Sequence, residues 1–159
     1  MKTLVVNQEK CTACRRCELT CSFHKTGEFN PASSRVTVAI FPEVDFYMPI
    51  TCQQCEDALC QKACPAAAIS RSETTGAVVI DENRCIGCQM CVMVCPFGAV
   101  AFSAAESKVV KCDLCGGDPE CAKFCAWGAI EYREADRITL DKRKQVGAKL
   151  RDLMKEVSA

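Results

Sequence analysis

Sixteen cysteines fall in four groups of four along 159 residues, and a deprotonated thiol is the side chain that binds soft metals best. The group Cys85-Ile86-Gly87-Cys88-Gln89-Met90-Cys91-Val92-Met93-Val94-Cys95-Pro96 is spaced C-x2-C-x2-C-x3-C and closed by proline. That run holds [4Fe-4S] clusters, with the fourth cysteine serving a neighbouring cluster. The first group, Cys11, Cys14, Cys17 and Cys21, has the same spacing. The second (Cys52, Cys55, Cys60, Cys64) and the fourth (Cys112, Cys115, Cys121, Cys125) have longer middle loops. Three closely spaced thiolates wrap a loop around one cubane, and small residues such as Thr12, Ala13 and Gly87 let backbone N–H groups point at the sulfurs. Pro65 and Pro96 then fix φ and turn the chain away after the fourth thiol.

Two other chemistries compete for so many thiols. Structural zinc uses two short knuckles separated by a longer loop, whereas here four cysteines are packed into each short motif, four times over. A disulfide scaffold needs an oxidising compartment, yet Met1 to Asn7 carries no apolar stretch of signal-peptide length and no twin arginine. A cytoplasmic location is expected, and no apolar run is long enough to span a bilayer. The single histidine, His24, reads as a surface or supporting residue, because sixteen cysteines already complete four sites.

The elements that must position these thiols repeat. Shifted by 74 residues, the first motif falls on the third, and Val5-Val6-Asn7-Gln8-Glu9-Lys10 falls on Val79-Ile80-Asp81-Glu82-Asn83-Arg84. Each copy predicts a short strand, a polar turn and a binding loop. The second motif matches the fourth at a shift of 60, becoming 61 after one insertion. The chain therefore reads as a duplicated two-motif unit. Between the first two motifs, Val36 to Phe41 is a strand candidate punctuated by Pro42 and Pro49, so a strand or hairpin is expected. At the far end, Ile138 to Leu140 is a strand candidate. Asp141 is then the expected N-cap of an amphipathic helix with Val146, Leu150, Leu153, Met154 and Val157 on one face.

The closing prolines and short separation make the second and third motifs one unit, leaving the first and fourth as an outer pair. The expected ligand sets are Cys11, Cys14, Cys17 and Cys125; Cys112, Cys115, Cys121 and Cys21; Cys52, Cys55, Cys60 and Cys95; and Cys85, Cys88, Cys91 and Cys64. The duplication alone allows a rival pairing of first with second and third with fourth. Four such clusters would add roughly −8 to a formally neutral chain, which Lys10, Arg15, Arg16, Arg84 and Lys111 beside the motifs could partly offset.

These four motifs resemble the four-cluster electron-transfer subunits of molybdenum and tungsten oxidoreductases. Among them are the B-type subunits of dimethyl sulfoxide reductase and formate dehydrogenase, with relatives in formate hydrogenlyase and carbon monoxide dehydrogenase systems. The likeness spans residues 3–131, and in that family the first and fourth motifs pair, as do the second and third. Because every cysteine position is kept, it implies four [4Fe-4S] clusters. Cys21-Ser22-Phe23-His24 and Asn30-Pro31-Ala32-Ser33-Ser34-Arg35 are similar to the small subunits of tungsten aldehyde oxidoreductase-type enzymes, including those of anaerobic aromatic metabolism.

The fold expected is α+β, a duplicated ferredoxin-like fold of short strands and helices around four clusters. Residues 1–131 form that domain, with an inner unit at 48–102, an outer pair from 1–21 and 103–131, an insertion at 22–47 and a tail at 132–159. No dinucleotide fingerprint or P-loop is present, and every ligand position is a cysteine, so one-electron transfer is expected and catalysis is not. The expected partners are a large tungsten- or molybdenum-containing catalytic subunit and a ferredoxin or flavin-containing subunit, with self-association as a further expectation. No nucleic-acid binding is read from Lys142-Arg143-Lys144. Alternative roles are an electron conduit for a hydrogenase or carbon monoxide dehydrogenase, or a free polyferredoxin-like carrier.

Overall fold

The computed structural model describes residues 2–104 and 106–135. The strand and helix expected beyond Ile138 lie outside the described residues. Within them the order is β1 (Lys2–Val6), α1 (Arg16–Thr26), β2 (Thr37–Phe41), β3 (Phe46–Ile50), α2 (Leu59–Lys62), β4 (Ile69–Arg71), β5 (Val78–Ile80), α3 (Met90–Met93), β6 (Val100–Ser103), β7 (Lys108–Lys111), α4 (Glu120–Lys123) and β8 (Ile130–Glu134). Strands pair only in antiparallel twos: β1 with β8, β2 with β3, β4 with β5 and β6 with β7. Two-stranded ladders are marginal by themselves, so the interior must hold them together. That interior is thiol-rich: Cys17, Cys21, Cys52, Cys112 and Cys121 are buried in one core cluster with Leu4, Val36, Val38, Leu114 and Ile130. A second cluster joins Ile69, Val78, Val100 and Val109 to Cys91. Among the described residues no helix is long and apolar enough to cross a membrane.

The sequence repeats become repeated backbone. Asn7 and Asp81, 74 residues apart, each accept a hydrogen bond from the N–H two residues on, at 3.0 Å, turning the chain from strand into binding loop. In all four loops the residue before the second cysteine is left-handed: Ala13 (φ 53°), Gln54 (φ 50°), Gly87 (φ 69°) and Leu114 (φ 60°). Only one of the four is glycine, so sequence alone hides this conformation at the other three. The third cysteine of every motif then lies in a helix, α1 to α4, with the fourth four residues later, inside α1 for Cys21 and just past the end of α2, α3 and α4 for Cys64, Cys95 and Cys125.

After the fourth cysteine the motifs diverge. Cys64, Cys95 and Cys125 are each followed by a tight turn, their carbonyls accepting from the N–H of Ala67, Gly98 and Gly128, all left-handed. Cys125 makes this turn through Ala126 and Trp127 without a proline, so Pro65 and Pro96 favour the turn but do not define it. Cys21 makes no such turn, and α1 runs on to Thr26 before Gly27 (φ 77°) ends it.

The insertion forms the hairpin β2–β3, closed by Pro42-Glu43-Val44 with Asp45 left-handed. Pro49 does not bound this element; it lies inside β3, opposite Val38. Proline is tolerated there because the Val38 N–H points away from β3 and donates to Glu18 Oε1 at 2.7 Å, so the ladder needs no donor at Pro49. Glu18 itself is only 2% exposed, pairs with Arg15, and ties α1 to the hairpin.

Glu18→Ala leaves the buried Val38 N–H without a partner and is expected to cost about 1–3 kcal/mol of holoprotein stability, with Glu18→Gln costing less, as read by anaerobic thermal unfolding. At Gly87 a Cβ would meet nothing within 4 Å, so Gly87→Ala is expected to cost only the left-handed penalty of about 1–2 kcal/mol. The reverse change at Ala13 relieves that strain against about 0.4–1 kcal/mol of unfolded-chain entropy, giving a neutral to mildly stabilised protein in the same assay.

Candidate iron–sulfur centres

All sixteen cysteines are free thiols, and only Cys14 and Cys88, the second of the first and third motifs, are exposed. Cys11, Cys14 and Cys17 share one cleft with Cys125. Cys85, Cys88 and Cys91 share another with Cys64. These groupings follow from packing: α1 lies against α4, α2 lies against α3, and β1 pairs with β8, bringing the two ends of the described chain together.

The thiols of the other two motifs are found by the charges they feel. Cys60 lies near Cys52 and Cys95. Cys115 lies near Cys21, and Cys121 lies near Cys112, Cys115 and Cys21. Contacts also run between groups, from Cys91 to Cys60, from Cys112 to Cys52 and from Cys121 to Cys17. Thiols of different motifs therefore feel one another's charge, and the two exposed thiols, Cys14 and Cys88, lie in the two separate clefts.

Burial is the main influence on these thiols. It pushes Cys17 and Cys112 up to about 12 from the ordinary 9.0, with repulsion from Glu18 adding at Cys17. Burial likewise raises Cys60, Cys91, Cys115 and Cys121. A thiolate is disfavoured in such surroundings unless a metal takes up its charge.

Backbone donors are already aimed at several sulfurs. Ala68 donates its N–H to Cys64 Sγ at 3.3 Å, and Ala129 and Ile130 donate theirs to Cys125 Sγ at 3.2 and 3.4 Å. Cys21, which lacks the tight turn, receives the Arg35 N–H at 3.2 Å from the segment leading into the hairpin. The nearby cations are mostly neutralised. Arg35 forks onto Glu106 at 2.9 Å, and Lys25 pairs with Asp113 at 2.8 Å. Burial opposes the Lys25 charge, but the Asp113 contact prevails and lifts the lysine above its usual range while lowering the aspartate.

This all-sulfur donor set, with N–H groups on the sulfurs, fits iron–sulfur clusters. A structural zinc site would instead join two short knuckles across a longer loop or mix in histidine. His24 is exposed on α1. Sequence reasoning named all of these thiols and missed Glu18, Gln54 and the burial of Lys111. Gln54 sits in the second loop, donating to the Cys112 carbonyl at 3.1 Å and accepting from the Val78 N–H at 2.8 Å, which pins the second motif to the fourth.

Residues 44–134 match the 4Fe-4S dicluster domain family, and residues 8–26 match a 4Fe-4S binding domain. The aliphatic sulfonate oxidoreductase polyferredoxin-like subunit of Pyrococcus furiosus is 44% identical over 77% of this chain and 70% of its own length. The B subunit of the anaerobic dimethyl sulfoxide reductase of Escherichia coli is 32% identical over 84% of this chain and 73% of its own length. Among solved structures, a component of the active site complex BamBC of benzoyl coenzyme A reductase with 1,5-dienoyl-CoA is 30% identical over 85% of this chain and 78% of that one. Its TM-score of 0.48 marks a loose superposition, and the assignment rests on the sequence matches. The chain belongs to the 4Fe-4S dicluster family, among the iron–sulfur electron-transfer subunits of the type found in dimethyl sulfoxide reductase.

Proposed function

We propose that this chain is a non-catalytic electron-transfer subunit carrying four [4Fe-4S] clusters in a row. The ligand sets are Cys85, Cys88, Cys91 and Cys64; then Cys52, Cys55, Cys60 and Cys95; then Cys112, Cys115, Cys121 and Cys21; then Cys11, Cys14, Cys17 and Cys125. The observation that carries this reading is the exchange of fourth cysteines, with Cys64 in the cleft of Cys85, Cys88 and Cys91 and Cys125 in that of Cys11, Cys14 and Cys17. The packing of α1 on α4 and of α2 on α3 supports it and disfavours the rival pairing. The inner unit is then residues 48–102 of a duplicated ferredoxin-like domain, and the outer pair comes from 1–21 and 103–131.

Each cluster supplies a one-electron site when bound, and the chain's own contribution is to hold sixteen thiolates, aim N–H groups at them and exclude water. Electrons enter and leave at the exposed ends, beside Cys14 and Cys88. One end is rimmed by Lys10, Arg15 and Arg16 with the exposed Trp127 among them, the other by the exposed Ile86, Met90 and Met93, with no cation among the described residues lining its cleft. Rims so unlike suit two partners: a large tungsten- or molybdenum-containing catalytic subunit on the apolar end, and an acidic ferredoxin or a flavin subunit on the basic one. That relatives are named as subunits of oxidoreductases supports a catalytic partner. Native purification tests this reading: a large subunit containing tungsten or molybdenum is expected to co-purify, and a monomer free of any other chain would overturn it.

Anaerobically prepared protein is expected to hold about sixteen iron atoms and as much acid-labile sulfide per chain. Cys125→Ser and Cys14→Ser are expected to abolish the same electron paramagnetic resonance signal, and Cys115→Ser a different one; a signal shared by Cys125 and Cys115 would refute the exchange. The raised thiols set the pH dependence. Below the ordinary 9.0 a cluster-free thiol carries a proton that loading must expel, and at Cys17 and Cys112 this persists up to about 12. Cluster binding is therefore expected to strengthen as pH rises and weaken as it falls, measured as iron retained against a chelator from pH ~9 down to ~6.

A further inference from the structure

Lys111, the last residue of β7, is 6% exposed and hydrogen-bonds the carbonyls of Val78 and, at 3.1 Å, Cys112. Among the described residues no carboxylate pairs with it, unlike Lys25 and Arg35, whose charges are met by Asp113 and Glu106. A buried ammonium without a counter-charge costs several kcal/mol, and two carbonyl dipoles do not neutralise it. The groups that could neutralise it are sulfurs: Lys111 lies close enough for its charge to act on both Cys60 and Cys112. These two thiols belong to different members of the central pair in the proposed row. Gln54 crosses the same junction, bonding Val78 N–H and Cys112 O, so the ammonium is held between two loops that are themselves tied together.

The duplication supplies an internal comparison. Sixty residues earlier, before the first cysteine of the second motif, the matching position is Thr51, which is 1% exposed and uncharged. The other residues that precede a motif, Lys10 and Arg84, are exposed. One cation in one copy is thus sealed at the centre.

We propose that Lys111 is a positioning residue for electron transfer: its buried charge is the counter-charge shared by the two central clusters, raising both reduction potentials and easing the repulsion between them. This rests on the ligand sets proposed above. Adding an electron makes a cluster more negative, and a cation fixed in a low-dielectric interior favours that state strongly. The central pair therefore holds an electron more readily than it would beside a second threonine.

Redox titration of the loaded protein, followed by electron paramagnetic resonance, compares the unmodified chain with Lys111→Met, Lys111→Gln and Lys111→Arg. In Lys111→Met two clusters are expected to become at least tenfold harder to reduce, about 59 mV for one electron, while the other two move far less. Lys111→Gln keeps a hydrogen-bond donor but not the charge and is expected to behave like Lys111→Met, whereas Lys111→Arg restores the potentials. Unchanged potentials in fully loaded Lys111→Met and Lys111→Gln would overturn the proposal, as would an equal shift of all four clusters. If the neutral variants lose iron and Lys111→Arg does not, the charge acts on the clusters and the proposal stands; if all three lose iron, side-chain shape is responsible and it falls. Iron well below sixteen in the unmodified chain would instead refute the ligand sets.

Discussion

Thiolates crowded into an interior that rejects their charge are the constraint on which this fold depends. A larger protein fills its core with leucine and isoleucine, whereas here five of the residues buried in the main core cluster are cysteines. Burial and mutual repulsion push several of those thiols well above their ordinary range, two of them to about 12. Iron–sulfur ligation would relieve that difficulty, since the metal takes up the thiolate charge. Among the described residues, the four short ladders and three single-turn helices then need no large apolar core of their own.

Repetition gives each thiol a standard setting. Every motif uses a left-handed residue before its second cysteine and a helix at its third, so four cysteine loops are built from one backbone plan. Departures from the plan are local and have causes. The first motif continues into the long α1 because nothing turns the chain at Cys21, and the segment before the hairpin supplies the donor that the missing turn would have offered. Glu18, two residues inside α1, fixes that hairpin through the strand position where a proline faces the ladder.

Much of the site was legible in the sequence because ligand chemistry demands cysteines at set intervals. The helices that carry the third cysteines pack as α1 on α4 and α2 on α3, a packing that motif spacing alone does not dictate. Conformation was less legible: Gly87 advertises a left-handed turn, but Ala13, Gln54 and Leu114 adopt it without any residue preference to announce it. Of the ladders β4–β5 and β6–β7 only β5 was read, at Val79-Ile80; the other strands, three or four residues long, carry too little alternation to read. Charge was the least legible. Lys10, Arg15, Arg16, Arg84 and Lys111 all flank motifs, yet only Lys111 is buried, and burial depends on what packs over a residue rather than on its neighbours in sequence.

The β1–β8 ladder has a consequence for how such a chain comes into being. Its two strands begin and end the described fold, with register from Lys2 opposite Glu134 to Val6 opposite Ile130. On a ribosome, which makes the N-terminus first, the earliest strand has no mate until more than a hundred residues have followed. Throughout that interval Cys11, Cys14 and Cys17 wait as unprotected thiols, open to oxidants and to the wrong metal. The middle of the molecule can close while its edges stand open, and the cleft of Cys11, Cys14 and Cys17 cannot be completed until Cys125 and β8 have been made.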